Sequence, residues 1–405
     1  MQSPNITIVH PGTQHSPHLA RELYNLNLLK YYVTSLGFAK NSYLEKVVKS
    51  LPILNRRLSL RFFDGLPNNK IKTYPLPELQ LLLKKKVNPL LDVRKEINKR
   101  NEKIQLSVSK DYIKESDIII GYDTSSWIIA QRAKDMGKTF ILDQTTCHSK
   151  TKSEYITRLR KEYPEWYNDT FHENKSILLA QEKLEHDLAD LIVVPSRFVK
   201  NSLTENGVDS EKILINPYGI NNQQFKDINI RNYRQKLVFL FVGSINANKG
   251  VPDLLKVWTE LKLADCELWV AGYGNLPEKI KPLHQSINFL GKIDKNKLPN
   301  IYNEAHVFIF PSYFEGLAQV QIEALSCGLP VVGTYNSGAT ELIIAEENGL
   351  VIEAGNIGEL KNAIIWFNEN KNKLSDMSRK SKIASANQTW ENYGNRWKHI
   401  IENHI

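Results

Sequence analysis

Residues 306–332 read HVFIFPSYFEGLAQVQIEALSCGLPVV. The opening HVFIF is short and apolar, as expected of a buried strand. Pro311 and Gly316 then break the strand, and the apolar spacing predicts a helix starting near Leu317 or Ala318. Gly328 is placed to stop that helix in a left-handed conformation, and Pro330 prevents its continuation. PVV then opens the next strand. A strand–turn–helix–strand unit of this kind belongs to a parallel sheet covered by helices on its faces.

Working outward, further apolar runs alternate with helix-length segments. NITIVH (5–10), DIIIGY (117–122), TFILDQ (139–144) and LIVVPS (191–196) form a first series. A second series opens with ILINPYG (213–219) and continues with LVFLFVG (237–243), CELWVAG (266–272), INFLG (287–291), HVFIF and PVVGTY (330–335). Amphipathic stretches such as SSWIIAQRAKDMGK and VPDLLKVWTELKL lie between them. The reading is an α/β protein with two Rossmann-like domains facing across a cleft. The polar stretch 220–236 reads as an exposed hinge, which gives domains of 1–220 and 221–385. Ligands of such sheets bind beyond the carboxyl ends of the strands, where helix N-termini offer free N–H groups.

At such a strand end, Glu315 precedes the helix terminus and Glu323 falls one to two turns into the helix. Five or six helical residues span roughly 8–9 Å. That matches the reach from a diphosphate, held at the terminus, to the hydroxyls of a ribose, for which a carboxylate is a natural bidentate acceptor. The spacing suits one elongated ligand better than a two-carboxylate hydrolytic pair.

The 405-residue chain is 41% apolar and 24% charged, as an ordinary globular protein is. No run approaches the roughly 20 apolar residues of a spanning helix, and MQSPNITIVHPG lacks the features of a secretory signal. Cys147, Cys266 and Cys327 fit no CxxC pattern, so a reducing cytoplasm is expected. The net charge of +9 is local: residues 40–110 carry 17 Lys/Arg against 6 Asp/Glu, leaving the remainder slightly acidic. Basic clusters interleaved with Leu, Ile and Phe suit a solvated face or an anionic membrane surface. No nucleic-acid fold motif accompanies them, and no nucleic-acid partner is expected.

Several motifs fail on inspection. MGKT (136–139) lacks the P-loop glycine at 132 and leads into a strand. AGYGNLP (271–277) has only two of the three dinucleotide-fingerprint glycines. There is no Asp-x-Asp cation site and no G-x-S-x-G elbow, and His10, His15 and His18 do not fit HExxH spacing. No metal or cofactor is expected.

The Glu315–Glu323 segment resembles the Glu-x7-Glu region of retaining glycosyltransferases of family 4 (group 1), which have the GT-B fold. FVGSINANKGVPDLL (241–255), VVPSRFVKNSLTENGVDSEKILINPYGIN (193–221), LWVAGYG, INFLGKI and NSGATELI (336–343) keep the family's order. HPGTQH (10–15) resembles its first glycine-rich loop, and TTCH (145–148) resembles the strand end where the family has a histidine facing the donor. The terminal TWENYGNRWKHIIENHI, within 386–405, resembles the helix that crosses back to the first domain. The likeness is weakest over 40–110.

The resemblance implies transfer of a sugar from a nucleotide-diphosphate sugar to a glycan or lipid-linked acceptor in surface polysaccharide or glycolipid synthesis. The enzyme would be metal-independent, and the basic segment 40–110 adds the separate expectation that its N-terminal domain docks on the inner membrane face from the cytoplasm. Glu315 would hold the transferred sugar, Glu323 the ribose, and Lys249 the leaving diphosphate. His148 would bind the donor sugar or its phosphate. N–H groups of Gly316, Leu317 and Ala318, with Gly243 and Ser244, would complete the donor site, and Gly12, Thr13 and His15 would shape the acceptor loop. Two departures stand out: Ser244 replaces an arginine frequent in the family, and Gly-Leu-Ala replaces Gly-Phe-Gly after Glu315. A nucleotide-sugar epimerase on the same fold, or a non-catalytic nucleotide or carbohydrate binder, are the alternatives.

Overall fold

The computed structural model describes residues 3–40, 45, 61–88, 91–167, 175–226, 236–274, 276–280 and 283–405. Two parallel sheets organise them. The first contains β1 (Ile6–His10), β2 (Leu29–Thr34), β5 (Ile71–Thr73), β6 (Ile118–Tyr122), β7 (Thr139–Asp143), β8 (Leu191–Val194) and β9 (Ile213–Ile215), in the order β5-β2-β1-β6-β7-β8-β9. The second contains β10 (Leu237–Val242), β11 (Cys266–Ala271), β12 (Ile287–Gly291), β13 (Val307–Phe310), β14 (Val331–Thr334) and β15 (Gly349–Ile352), in the order β12-β11-β10-β13-β14-β15. A separate short pair joins β3 (Phe38–Ala39) to β4 (Phe62–Phe63).

The central strands are buried along their length and mostly apolar because helices cover both faces of each sheet. All six residues of β10 are buried, as are all of β1, β6, β13 and β14. β12, at a sheet edge, has no fully buried residue. Truncating a core ring such as Phe239 or Phe308 to alanine should cost about 3–5 kcal/mol.

In both sheets the strand order reverses beside the first strand, between β1 and β6 and between β10 and β13. These are the switch points where a doubly wound sheet opens a crevice. The helix Trp390–His404 packs on Ser16–Asn25, so the chain end returns to the first domain. The close approach is at Gly394, where a Cβ would lie 2.3 Å from the Glu22 side chain.

Three details differ from the sequence reading. ILINPYG closes the first sheet by pairing with β8 and does not open the second. The start of the expected exposed hinge is packed: Ile220 is buried and its N–H donates to Gln388 O at 2.9 Å. Residues 227–235 of that stretch lie outside the described residues. In the basic segment, residues 41–44, 46–60 and 89–90 also lie outside them, while 75–87 and 93–107 form two packed helices.

Candidate active site

The second sheet's switch point opens into a cleft of about 460 Å3. Gly243 and Ser244 line it from the end of β10, and Glu315, Leu317 and Ala318 from the turn after β13. Lys249 and Glu323 complete its polar wall. Seven of the residues singled out from sequence therefore meet in one place.

Lys249 ends a tight turn, Ala247–Lys249, begun by the Asn246 side chain, which accepts the Lys249 N–H at 3.1 Å. Gly250 follows with φ +69°, and a Cβ there would sit 2.0 Å from Pro311 O. Only glycine lets this turn press against the end of β13. The Lys249 ammonium pairs with Glu315 Oε1, which also accepts the Ser312 hydroxyl at 2.8 Å. One helical turn on, the buried Asp253 accepts the hydroxyls of Tyr163 and of Tyr313, the latter at 2.7 Å. Burial raises the Asp253 pKa, and these bonds oppose that rise.

The helix after Glu315 runs Gln319–Ser326, starting slightly later than its sequence suggests, and Gly328 stops it with φ +75°. Glu323 is therefore about 6 Å along the axis, one turn in, so the span is shorter than first reckoned. Its carboxylate is buried and accepts the Tyr302 hydroxyl at 3.0 Å. Burial pushes its pKa up, against the Tyr302 bond and the charge of Lys295. One hydrogen bond leaves most of a carboxylate's acceptor capacity for a ligand.

The three N–H groups expected to face a ligand do not behave alike. Ala318 N–H donates to Ser337 O at 3.1 Å and is committed to the fold. Among the described residues, those of Gly316 and Leu317 find no protein acceptor. Gly316 is also where the domains touch: a Cβ there would lie 2.0 Å from Thr145 O, and Ser196 Oγ donates to its carbonyl at 2.6 Å. Further bonds cross the interface, from Asn336 to the Tyr155 hydroxyl and from Tyr167 to Asn248, each at 2.7 Å.

The first domain departs from the sequence reading. His148 does not line the cleft beside Lys249. It caps the helix Ser149–Glu162, with Nδ1 accepting Lys150 N–H at 3.1 Å and Nε2 lying 3.6 Å from Glu182. Its ring lines a different cavity, of about 610 Å3, with Lys183 and His186, and burial lowers its pKa. The helix N-terminus competes for the imidazole and turns it away. Thr145 is the residue of this strand end that reaches Gly316. Its N–H donates at 2.8 Å to Asp123, whose pKa burial pushes up to about 6.

His15 is likewise buried, with Nε2 2.8 Å from Asp143, which also accepts the Tyr393 hydroxyl at 3.3 Å. His10 stacks on Tyr122 at 4.1 Å and His18 on Trp390 at 4.2 Å. Burial holds His10 well below its ordinary value and takes His18 down to about 3. Gly12 O accepts the Thr34 hydroxyl, and Thr13 O accepts both the N–H and the hydroxyl of Ser16. These contacts fasten the first loop to the sheet and to the returning helix.

The sequence reading missed Lys292, which lines the same cleft as Lys249 and Glu323 just after β12. The signal was present in INFLGKI, but a lysine after a strand has no distinguishing neighbour in sequence. Among the described residues, no group of three or more His, Cys, Asp or Glu side chains is arranged to hold a metal ion.

Residues 222–383, which hold this cleft, match the family model of glycosyl transferases group 1. That part of the chain belongs to the family. An uncharacterised glycosyltransferase of Methanocaldococcus jannaschii is 29% identical over 235 residues, 54% of this chain and 60% of that one. The Escherichia coli UDP-Gal:alpha-D-GlcNAc-diphosphoundecaprenol alpha-1,3-galactosyltransferase is 29% identical over 204 residues, 48% of this chain and 51% of that one. The matches thus span about half to three-fifths of these relatives' length. In fold, the whole chain resembles Anabaena HepE, solved in complex with UDP-glucose. The TM-score is 0.63 at 15% identity, covering 98% of this chain and 99% of that one. The architecture is GT-B.

Proposed function

We propose that the protein is a retaining, metal-independent glycosyltransferase. It would move a sugar from a nucleotide-diphosphate sugar to a glycan or lipid-linked acceptor at an anionic membrane surface. The observation that carries this reading is the arrangement of Lys249, Glu315 and Glu323 around one cleft at a helix N-terminus. Glu323 receives the ribose hydroxyls. The helix terminus and the Gly316 and Leu317 N–H groups receive phosphate or sugar oxygens.

As the glycosidic bond breaks, negative charge grows on the departing diphosphate, and Lys249 stabilises it. Drawn toward that charge, Lys249 releases Glu315 to accept hydroxyls of the transferred sugar. Lys292, on the same wall, supplies the second cation that Ser244 does not. No protein nucleophile is assigned: the acceptor attacks from the face the leaving phosphate vacates, and that phosphate takes the acceptor proton. The galactosyltransferase relative, whose name gives a UDP-sugar and a diphosphoundecaprenol acceptor, supports this class of substrates.

The test is nucleotide release from a panel of UDP- and GDP-sugars, with and without lipid-diphosphate-linked glycans. Acceptor-dependent release with an unchanged anomeric configuration is expected. Acceptor-independent product would instead mark an epimerase, and binding without turnover a carbohydrate-binding module.

A further inference from the structure

Beyond the helix Ser149–Glu162 of the first domain, the sequence YPEWY (163–167) closes into a tight turn. Trp166 N–H donates to Tyr163 O at 3.0 Å, and Tyr167 N–H to Pro164 O at 3.1 Å. The turn sends two hydroxyls across to the second domain, and they land on either side of Lys249. Tyr167 donates at 2.7 Å to Oδ1 of Asn248, the residue before the lysine. Tyr163 donates to Oδ1 of Asp253, one helical turn beyond it.

Both acceptors also hold the turn that carries Glu315. Asn248 O accepts Tyr313 N–H at 2.9 Å and the Ser312 hydroxyl at 3.2 Å. Asp253 Oδ2 accepts the Tyr313 hydroxyl at 2.7 Å. The tyrosines are half-buried and Asp253 is buried, so water competes poorly for these bonds. Burial raises the pKa of both tyrosines, and their hydroxyls remain protonated donors.

We propose that Tyr163 and Tyr167 are positioning residues that fix the Lys249 turn where its ammonium meets the diphosphate. A lysine stem is flexible, and a cation stabilises charge best when it is held in place beforehand. Asn246 and Gly250 shape the turn from within the second domain, and the two hydroxyls brace it from the first. The cleft thus takes part of its rigidity from a segment that does not line it. This inference rests on the reading of Lys249 as the cation that faces the diphosphate.

Calorimetric titration of the full chain with UDP and GDP tests it without catalysis. Tyr163→Phe/Tyr167→Phe keeps both rings and should weaken nucleotide binding about fivefold. Tyr167→Phe alone leaves Asp253 its partner and should weaken binding about twofold. In a Lys249→Ala background the phenylalanine pair should cause no further loss, because the hydroxyls act through Lys249. Asn201→Ala removes another bond across the interface, to the Tyr335 hydroxyl at 2.7 Å, and should leave binding unchanged. An equal loss with and without Lys249, an equal loss in Asn201→Ala, or wild-type binding by the phenylalanine pair overturns the proposal. If neither nucleotide binds the wild type, or Lys249→Ala binds as tightly as the wild type, the reading of Lys249 fails and the brace fails with it. Loss in Lys249→Ala without loss in the phenylalanine pair overturns the brace alone.

Discussion

At the ends of β10 and β13, ionisable side chains line an open cleft: Lys249, its partner Glu315, Lys292 and Glu323 share one 460 Å3 space. At the ends of β1, β6 and β7 they are spent on partners inside the domain. His15 holds Asp143, Asp123 holds the Thr145 backbone, and His148 caps its own helix. The two sheets have the same strand order at their switch points, yet one end is left with unspent polar capacity and the other is nearly closed on itself. A doubly wound sheet provides a crevice, and the hydrogen bonds already made there decide whether it can bind a charged ligand.

Breaking the charged side should have the largest effect. Lys249→Ala removes the cation proposed to face the diphosphate and should lower kcat/KM by about 10²–10³-fold, measured by nucleotide release. Equal activity in this variant would move the donor site elsewhere. On the closed side, Asp123→Asn should change pH-dependent stability. Burial raises the Asp123 pKa from 3.8 to about 6, so the folded state holds the proton more tightly. Its favourable contribution is complete below about pH 4 and is lost as pH rises through about 6, a change of about 3 kcal/mol. Asparagine keeps an acceptor for Thr145 N–H, and urea midpoints between pH 4 and 7.5 should show a flatter profile. An unchanged slope would contradict the burial.

A smaller loss is expected from Glu323→Gln. It should raise the donor KM about tenfold through weakened hydrogen bonds to the ribose while leaving kcat nearly constant, because the interaction is alike in ground and transition states. A fall in kcat with constant KM would place Glu323 at the reacting centre instead. The smallest effect should come from His148→Ala, which removes a helix cap worth about 1 kcal/mol and leaves transfer within about twofold.

The sequence legibility of these regions differs for a physical reason. The cleft of the second sheet could be read because its signals are local: an apolar strand, a broken turn, a helix stop and two glutamates at helical spacing. Lys249 and Gly250 are adjacent in sequence and sit in one turn. The first domain depends on contacts distant in sequence. Nothing near His15 announces Asp143, 128 positions on, or Tyr393, which meets the same carboxylate. His148 stands where a strand end predicts a ligand, but a helix beginning at the next residue claims its ring. The short strands β3, β4 and β5 carry too few residues to show a period, and β2 and β15 were passed over beside stronger runs.

The central question is which side of the molecule binds a nucleoside diphosphate. Calorimetric titration of UDP and GDP into the wild type, Lys249→Ala and His148→Ala measures this directly. The expected result is that one nucleotide binds, that Lys249→Ala weakens it at least about tenfold, and that His148→Ala leaves it within about twofold. Binding that survives Lys249→Ala and is lost in His148→Ala would contradict the assignment.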